Sequence, residues 1–286
     1  MSKGLYEETS RYLDTPEGRL HYHEAGEGDP LILLHGSGPG VSGWANFEGN
    51  LPLFARHFRC LVLDMPGFGD SEAPATGHPM LDAPAAVLRF CDALKINRAH
   101  FIGNSMGGAV TTSVALQRPD LVRRFISIGG IGVNIFSSMP SEGIKLLVDF
   151  TEAPSRDALV RWLQSMVYDQ SLITEELIAD RLQRATEPKT LEWARRMYSR
   201  AAVSMITKNL SGANGSPSWA QLAKIACPTL LAWGRDDRVS PIDMALLPMR
   251  LIPRCELHTF YDCGHWAMIE RKAEFESVGL SFLLRP

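Results

Sequence analysis

The sequence predicts an α/β fold, a mostly parallel sheet with helices on both faces and an all-helical insertion. Three observations carry this. Short apolar runs alternate with helical stretches along most of the 286 residues. One such run leads into Gly103-Asn104-Ser105-Met106-Gly107-Gly108, followed by a helix-like stretch rich in Gly, Ala, Thr and Val. From about Gly132 to Asn214 the strand pattern lapses into amphipathic helical segments. The expected organisation is a core over residues 1–131, a helical cap over 132–214 and a second core segment over 215–286.

Taken in order, Leu20-His21-Tyr22-His23 is strand-like, with the two histidines on one face. Without a third histidine or a nearby cysteine they are not assigned a metal. Leu31–Leu34, Cys60–Leu63, Ala99–Ile102 and Phe125–Ile128 are largely apolar, as buried parallel strands are when helices cover both faces. The helix before the Gly-rich turn is expected to begin near Asp82, as N-cap, with Pro84 in its first turn. Val87, Leu88, Cys91 and Leu94 then follow at helical spacing. In the cap, Ile144, Leu147 and Val148 form one apolar stripe, and Leu159, Val160 and Leu163 another. Pro228–Trp233 and Glu256–Phe260 resume the strands, and a helix over Lys272–Leu284 closes the chain. Such a cap sits over the carboxyl ends of the strands, where open α/β sheets place their sites.

Bulk properties exclude several function classes. Hydrophobic content of 45% and charged content of 21% are those of a globular protein. A net charge of −3 gives no footprint for nucleic acid or an anionic membrane. The polar, acidic start Met1–Glu8 argues against a signal peptide, and no run approaches the length of a membrane span. Five cysteines without a C-x-x-C pair fit a reduced cytoplasm.

The chemistry centres on Ser105. Strand, sharp turn and helix is the setting that makes G-x-S-x-G a nucleophile elbow. A serine at such a tip needs neighbours nearly free of side chain, which Gly103 and Gly107 supply. The helix beyond aims its free N–H groups at an oxyanion formed beside the serine. A base and an orienting acid must accompany it. Asp236 or Asp237 follows one late strand, and His265 follows the next, within Asp262-Cys263-Gly264-His265-Trp266. The order Ser, Asp, His is that of an α/β-hydrolase, whose Gly-x-x-Asp-x-x-x-Pro spacing selects Asp237. His258 lies inside its strand and reads as structural. The loop His35-Gly36-Ser37-Gly38-Pro39-Gly40 is expected to give one oxyanion N–H, from Ser37 or Gly38, and Met106 the other. His35 is expected to be a structural hydrogen-bonder.

On the helix opened by Thr174-Glu175-Glu176, Leu177, Ile178, Arg181 and Leu182 share one face. An inward cation there either snorkels out or meets an anion.

With these motifs together, the chain resembles the meta-cleavage-product hydrolases, α/β-hydrolases that cleave a carbon–carbon bond during the breakdown of aromatic compounds. The resemblance covers essentially the whole chain. It rests on His35–Gly40 with Trp44-Ala45-Asn46, on Gly103–Gly108, on Tyr168–Leu177 with Arg181, and on Cys263–Trp266. It is nearest to the hydrolases of 2-hydroxy-6-oxo-6-phenylhexa-2,4-dienoates, of the biphenyl and dibenzofuran type. Ser37 stands where many relatives have glycine. The resemblance implies an eight-stranded sheet, a cofactor-free reaction, an anionic dienoate substrate and a homo-oligomer. It further implies a carboxylate clamp at Arg181, with Asn46, Asn104, Ser171 and Trp266 against the dienoate. Met139, Ile144, Met166 and Trp193 are candidates for the far, apolar pocket or for cap packing. A carboxylesterase or lactonase with the same triad is the competing reading, since the elbow alone does not separate them. A non-catalytic ligand receptor on the same fold is a further one.

Overall fold

In a computed structural model, residues 3–74, 77–210 and 218–286 are described. Eight strands form one sheet: β1 Ser10–Thr15, β2 Gly18–Ala25, β3 Pro30–Leu34, β4 Arg59–Leu63, β5 Ala99–Asn104, β6 Val122–Ile128, β7 Thr229–Gly234 and β8 Cys255–Phe260. Their spatial order is β1-β2-β4-β3-β5-β6-β7-β8. Pairing is antiparallel for β1/β2 and β2/β4, and parallel from β4 through β8. The edge strand β1, half exposed and polar in sequence, carries no apolar run and was not among the sequence expectations.

The helices of more than ten residues are α1 Pro79–Ala93, α2 Met106–Gln117, α3 Glu142–Glu152, α4 Arg156–Met166, α5 Glu175–Ala185, α6 Pro188–Tyr198, α7 Arg200–Leu210 and α8 Lys272–Leu283. α3 to α7 lie in the chain between β6 and β7. Asn214, where the helical stretch was expected to end, lies outside the described residues.

Helix α1 begins earlier than the sequence suggested. Its N-cap is His78, whose Nδ1 accepts the Met80 N–H at 3.2 Å. Asp82, expected as the cap, reaches back one turn and accepts the His78 N–H at 2.7 Å. Pro79 occupies the first helical position, where a missing N–H costs nothing, and Pro84 falls inside the helix.

Period-two alternation divides the core into two layers. Ile32, Leu34 and Phe101 join Phe90, Val110 and Val114 on one face. Leu31, Leu33 and Ile102 join Phe54, Phe275 and Phe282 on the other, a layer that continues into the cap through Leu159, Trp162 and Leu163. Residues just past the ends of β3, β5 and β8 share one cavity with residues of α3, α4 and α5.

Candidate active site

Every residue of β5 is buried, and the strand delivers Ser105 at φ 50°, ψ −113°, a conformation an L-residue rarely adopts. Strain of this kind costs on the order of 1–3 kcal/mol and persists only where the surroundings impose it. They do. The Ser105 N–H donates to the Ile128 carbonyl at 2.7 Å, and the Gly107 N–H to the His35 carbonyl at 3.0 Å. A Cβ on Gly103 would lie 2.4 Å from the Gly107 carbonyl carbon, and one on Gly107 2.2 Å from the Leu34 oxygen. Gly108 and Ala109 spend their N–H groups on the Ser105 carbonyl. Among the described residues no acceptor is bonded to the Met106 N–H.

The His35–Gly40 loop lies against the elbow. Gly36 donates its N–H to Asn46 Oδ1 at 2.9 Å, while the N–H groups of Ser37 and Gly38 have no bonded acceptor among the described residues. His35 is fully buried, and that burial lowers its pKa. Its Nδ1 bonds the Gly36 carbonyl and its Nε2 accepts the Met65 N–H at 3.0 Å, which fixes a neutral, structural imidazole.

His265 Nδ1 lies 2.7 Å from Asp237 Oδ2, and both side chains are buried. The other carboxylate oxygen of Asp237 accepts the N–H groups of Val239 and Ser240, each at 2.8 Å. Asp236 instead pairs with the exposed Arg235 at the surface side of the loop. Position, not residue type, separates the two aspartates. No hydrogen bond joins Ser105 Oγ to His265 among the described residues; such bonds are often long until substrate is bound.

One cavity brings together Ser37, Gly38, Asn46, Asn104, Ser105, Arg181, His265 and Trp266. Asn104 Nδ2 donates to the carbonyls of Ile128 (3.3 Å) and His265 (3.4 Å), tying the elbow to the histidine loop. Its Oδ1 is buried without a partner. Arg181 is 4% exposed, has no ion pair among the described residues, and its Nε is unpartnered. Burial without a counter-ion pulls its pKa down to about 10. A guanidinium so placed is suited to a bidentate carboxylate.

Ser171 is not brought into this cavity. It lies exposed in the short turn Gln170–Leu172, where its hydroxyl donates to Asp169 Oδ1 at 2.6 Å. Ile144 and Met166 do line the cavity, but Met139 is exposed and Trp193 packs on the Pro66-Gly67 turn, donating to the Pro66 carbonyl at 3.1 Å. Sequence reasoning missed Trp162, Tyr198, Leu147 and Val239 as lining residues. Trp162 was visible in principle, at helical spacing from Leu159 and Met166, and its ring closes over Gly38. Tyr198, which hydrogen-bonds Ser37 Oγ from the end of α6, carried no sequence signal.

Among the described residues no cluster of three His, Cys, Asp or Glu side chains could hold a metal ion. His21 bonds Ser10 and Asp64, and His23 bonds Thr9. No described helix is long and apolar enough to cross a membrane.

The model of the alpha/beta hydrolase fold family matches residues 29–272. A 2-hydroxy-6-oxononadienedioate/2-hydroxy-6-oxononatrienedioate hydrolase of Paraburkholderia phymatum is 40% identical over 285 residues, 96% of each chain. A 2-hydroxy-6-oxo-6-phenylhexa-2,4-dienoate hydrolase of Comamonas testosteroni is 38% identical over 275 residues, 94% of this chain and 93% of that one. The solved meta-cleavage product hydrolase of Pseudomonas fluorescens IP01 superposes with a TM-score of 0.86 at 30% identity, covering 97% of this chain and 98% of that one.

Proposed function

This chain belongs to the alpha/beta hydrolase fold family and, within it, to the meta-cleavage product hydrolases, and on that premise we propose a specific reaction. The enzyme hydrolyses a 2-hydroxy-6-oxo-6-arylhexa-2,4-dienoate at its C5–C6 bond, giving 2-hydroxypenta-2,4-dienoate and an aromatic acid. The observation that carries the proposal is Arg181, a buried cation without an ion pair among the described residues, in the same cavity as Ser105 and His265. An esterase has no use for it; a dienoate carboxylate does.

In this reading Arg181 binds the carboxylate, with Asn46, Asn104 and Trp266 around the dienoate. His265 takes the 2-hydroxyl proton as the dienol becomes a 2-ketone and delivers it to C5, which leaves the imidazole neutral for the next step. C5 is then a competent leaving group, because its electron pair can delocalise into the 2-keto system. Ser105, deprotonated by His265, attacks C6. The N–H groups of Met106 and of Ser37 or Gly38 receive the oxyanion, each worth about 3 kcal/mol of barrier. Cleavage of C5–C6 leaves an acyl-serine and the dienol product, and water activated by His265 releases the acid. Asp237 holds the imidazole in the required tautomer and stabilises its cation. No cofactor enters this scheme.

The test is direct. A yellow dienolate is mixed with the enzyme and its absorbance followed beside p-nitrophenyl ester turnover. Rapid bleaching with release of the aromatic acid supports the reading. Persistent colour with fast ester turnover would return the chain to the esterases.

A further inference from the structure

Glu270 closes the short helical turn Ala267–Glu270, five residues beyond His265 in the chain. Its two carboxylate oxygens serve different parts of the molecule. Oε1 accepts the N–H of Gly264, the residue before His265, at 2.8 Å. Oε2 accepts the N–H groups of Tyr168 at 2.6 Å and Asp169 at 3.1 Å, just beyond the end of cap helix α4. Beside this, the His265 N–H donates to the carbonyl of Met166, the last residue of α4, at 2.7 Å. The approach is close enough that a Cβ on Gly264 would lie 2.6 Å from that same Met166 oxygen. No cation pairs with Glu270 among the described residues; neighbouring Arg271 is engaged with Glu274. The carboxylate is spent on backbone dipoles, two beyond the end of α4 and one in the histidine loop.

We propose that Glu270 is a positioning residue for His265, a latch that fixes the histidine loop against the end of α4. The proposal rests on the reading of His265 given above. Asp237 orients the imidazole through Nδ1, while the histidine backbone is tied only at residue 265 itself, to Met166 and Asn104. His265 has to reach Ser105, the substrate 2-hydroxyl and a hydrolytic water in turn, and a displacement of about 1 Å can cost on the order of 100-fold in rate. The latch adds a restraint at the preceding residue, Gly264, and through it the position of the end of α4 is felt at the base.

Glu270→Gln keeps the shape but offers one acceptor oxygen and sets an NH2 group against an N–H. The expected result is a folded enzyme whose kcat falls about tenfold or more while KM changes less than about threefold, since Arg181 is untouched. The downfield proton resonance of the His265–Asp237 hydrogen bond should also shift or broaden. Wild-type kcat together with an unchanged resonance would overturn the latch. If Glu270→Gln does not fold, Glu270→Asp, one methylene too short to span both sides, is read against the same outcomes. If wild-type enzyme leaves the dienolate unbleached, it is the functional reading that fails. The resonance and ester turnover of the variants then decide the latch alone.

Discussion

Arg181 and Ser105 open onto one cavity from different parts of the chain, the arginine from cap helix α5 and the serine from the elbow after β5. A buried, unpaired cation is costly, and burial already weakens its hold on the proton. Its cost is offset when an anion arrives. Replacing Arg181 with Met should therefore raise KM for the dienoate by about 10- to 150-fold, the worth of a charge-assisted hydrogen-bonded pair. Ketonisation, followed by stopped-flow absorbance, should slow as well. Turnover of p-nitrophenyl acetate should stay within about threefold of wild type. Equal loss on both substrates would contradict the clamp.

How much of this was legible in the sequence depended on backbone constraint. The elbow could be read because its geometry admits nothing larger than hydrogen at Gly103 and Gly107. The spacing of the α/β-hydrolases points to Asp237 rather than Asp236, and in the structure Asp237 accepts the N–H groups of Val239 and Ser240. Arg181 was legible as a charge on an apolar helix face. Likeness of motif sets Ser171 against the dienoate, but its hydroxyl completes a surface turn on Asp169. Tyr198 and the Glu270 latch join residues far apart in the chain, and no local pattern marks such contacts.

Strain at Ser105 predicts a stability effect opposite in sign to its effect on activity. At φ 50° and ψ −113° a glycine is unstrained whereas serine or alanine is not. Ser105→Gly should therefore be more stable than Ser105→Ala by roughly 1–3 kcal/mol, or several degrees in Tm by calorimetry. Both variants should lose dienoate and ester turnover. A Ser105→Gly protein that melts below Ser105→Ala would show that the backbone relaxes there.

The pair His265–Asp237 predicts how activity fails. Asp237→Asn removes the acceptor for the Nδ1 proton and favours the wrong tautomer. Its kcat should drop by about 10⁴, as for other triads of this kind. Asp236→Asn, on the surface side of the loop, should stay within about threefold of wild type. Comparable losses in the two variants would reverse the assignment.

Acid should destabilise the fold through two histidines remote from the cavity. Burial lowers the pKa of His23 to about 4, aided by neighbouring His21, and that of His100 to about 4, aided by nearby arginines. The folded state thus disfavours their protonation relative to the unfolded chain, near pH 6.5. Stability from these groups is whole above that value and is lost as pH falls toward 4, by roughly a few kcal/mol in all. Urea unfolding at pH 7 and pH 4.5 should show the midpoint falling, and His100→Phe should lessen the fall. A pH-independent midpoint over this range would refute the argument.

The charge of the cavity predicts which dienoate is preferred. Among the described residues Arg181 is the one lysine or arginine that lines it, and Ile144, Leu147 and Val239 line it as well. A 6-aryl group gains from burial against such a wall, at roughly 25 cal/mol for each Å² removed from water. A nonadienedioate, the substrate named for several relatives, carries a second carboxylate at that end. With Arg181 engaged by the first, the second would be buried without a partner, at a cost of several kcal/mol. We therefore expect kcat/KM for the 6-phenyl dienoate to exceed that for the nonadienedioate by about 100-fold or more. Bleaching rates for the two, measured side by side at several salt concentrations, decide it. Equal rates would mean that the cap presents a second cation once substrate is bound.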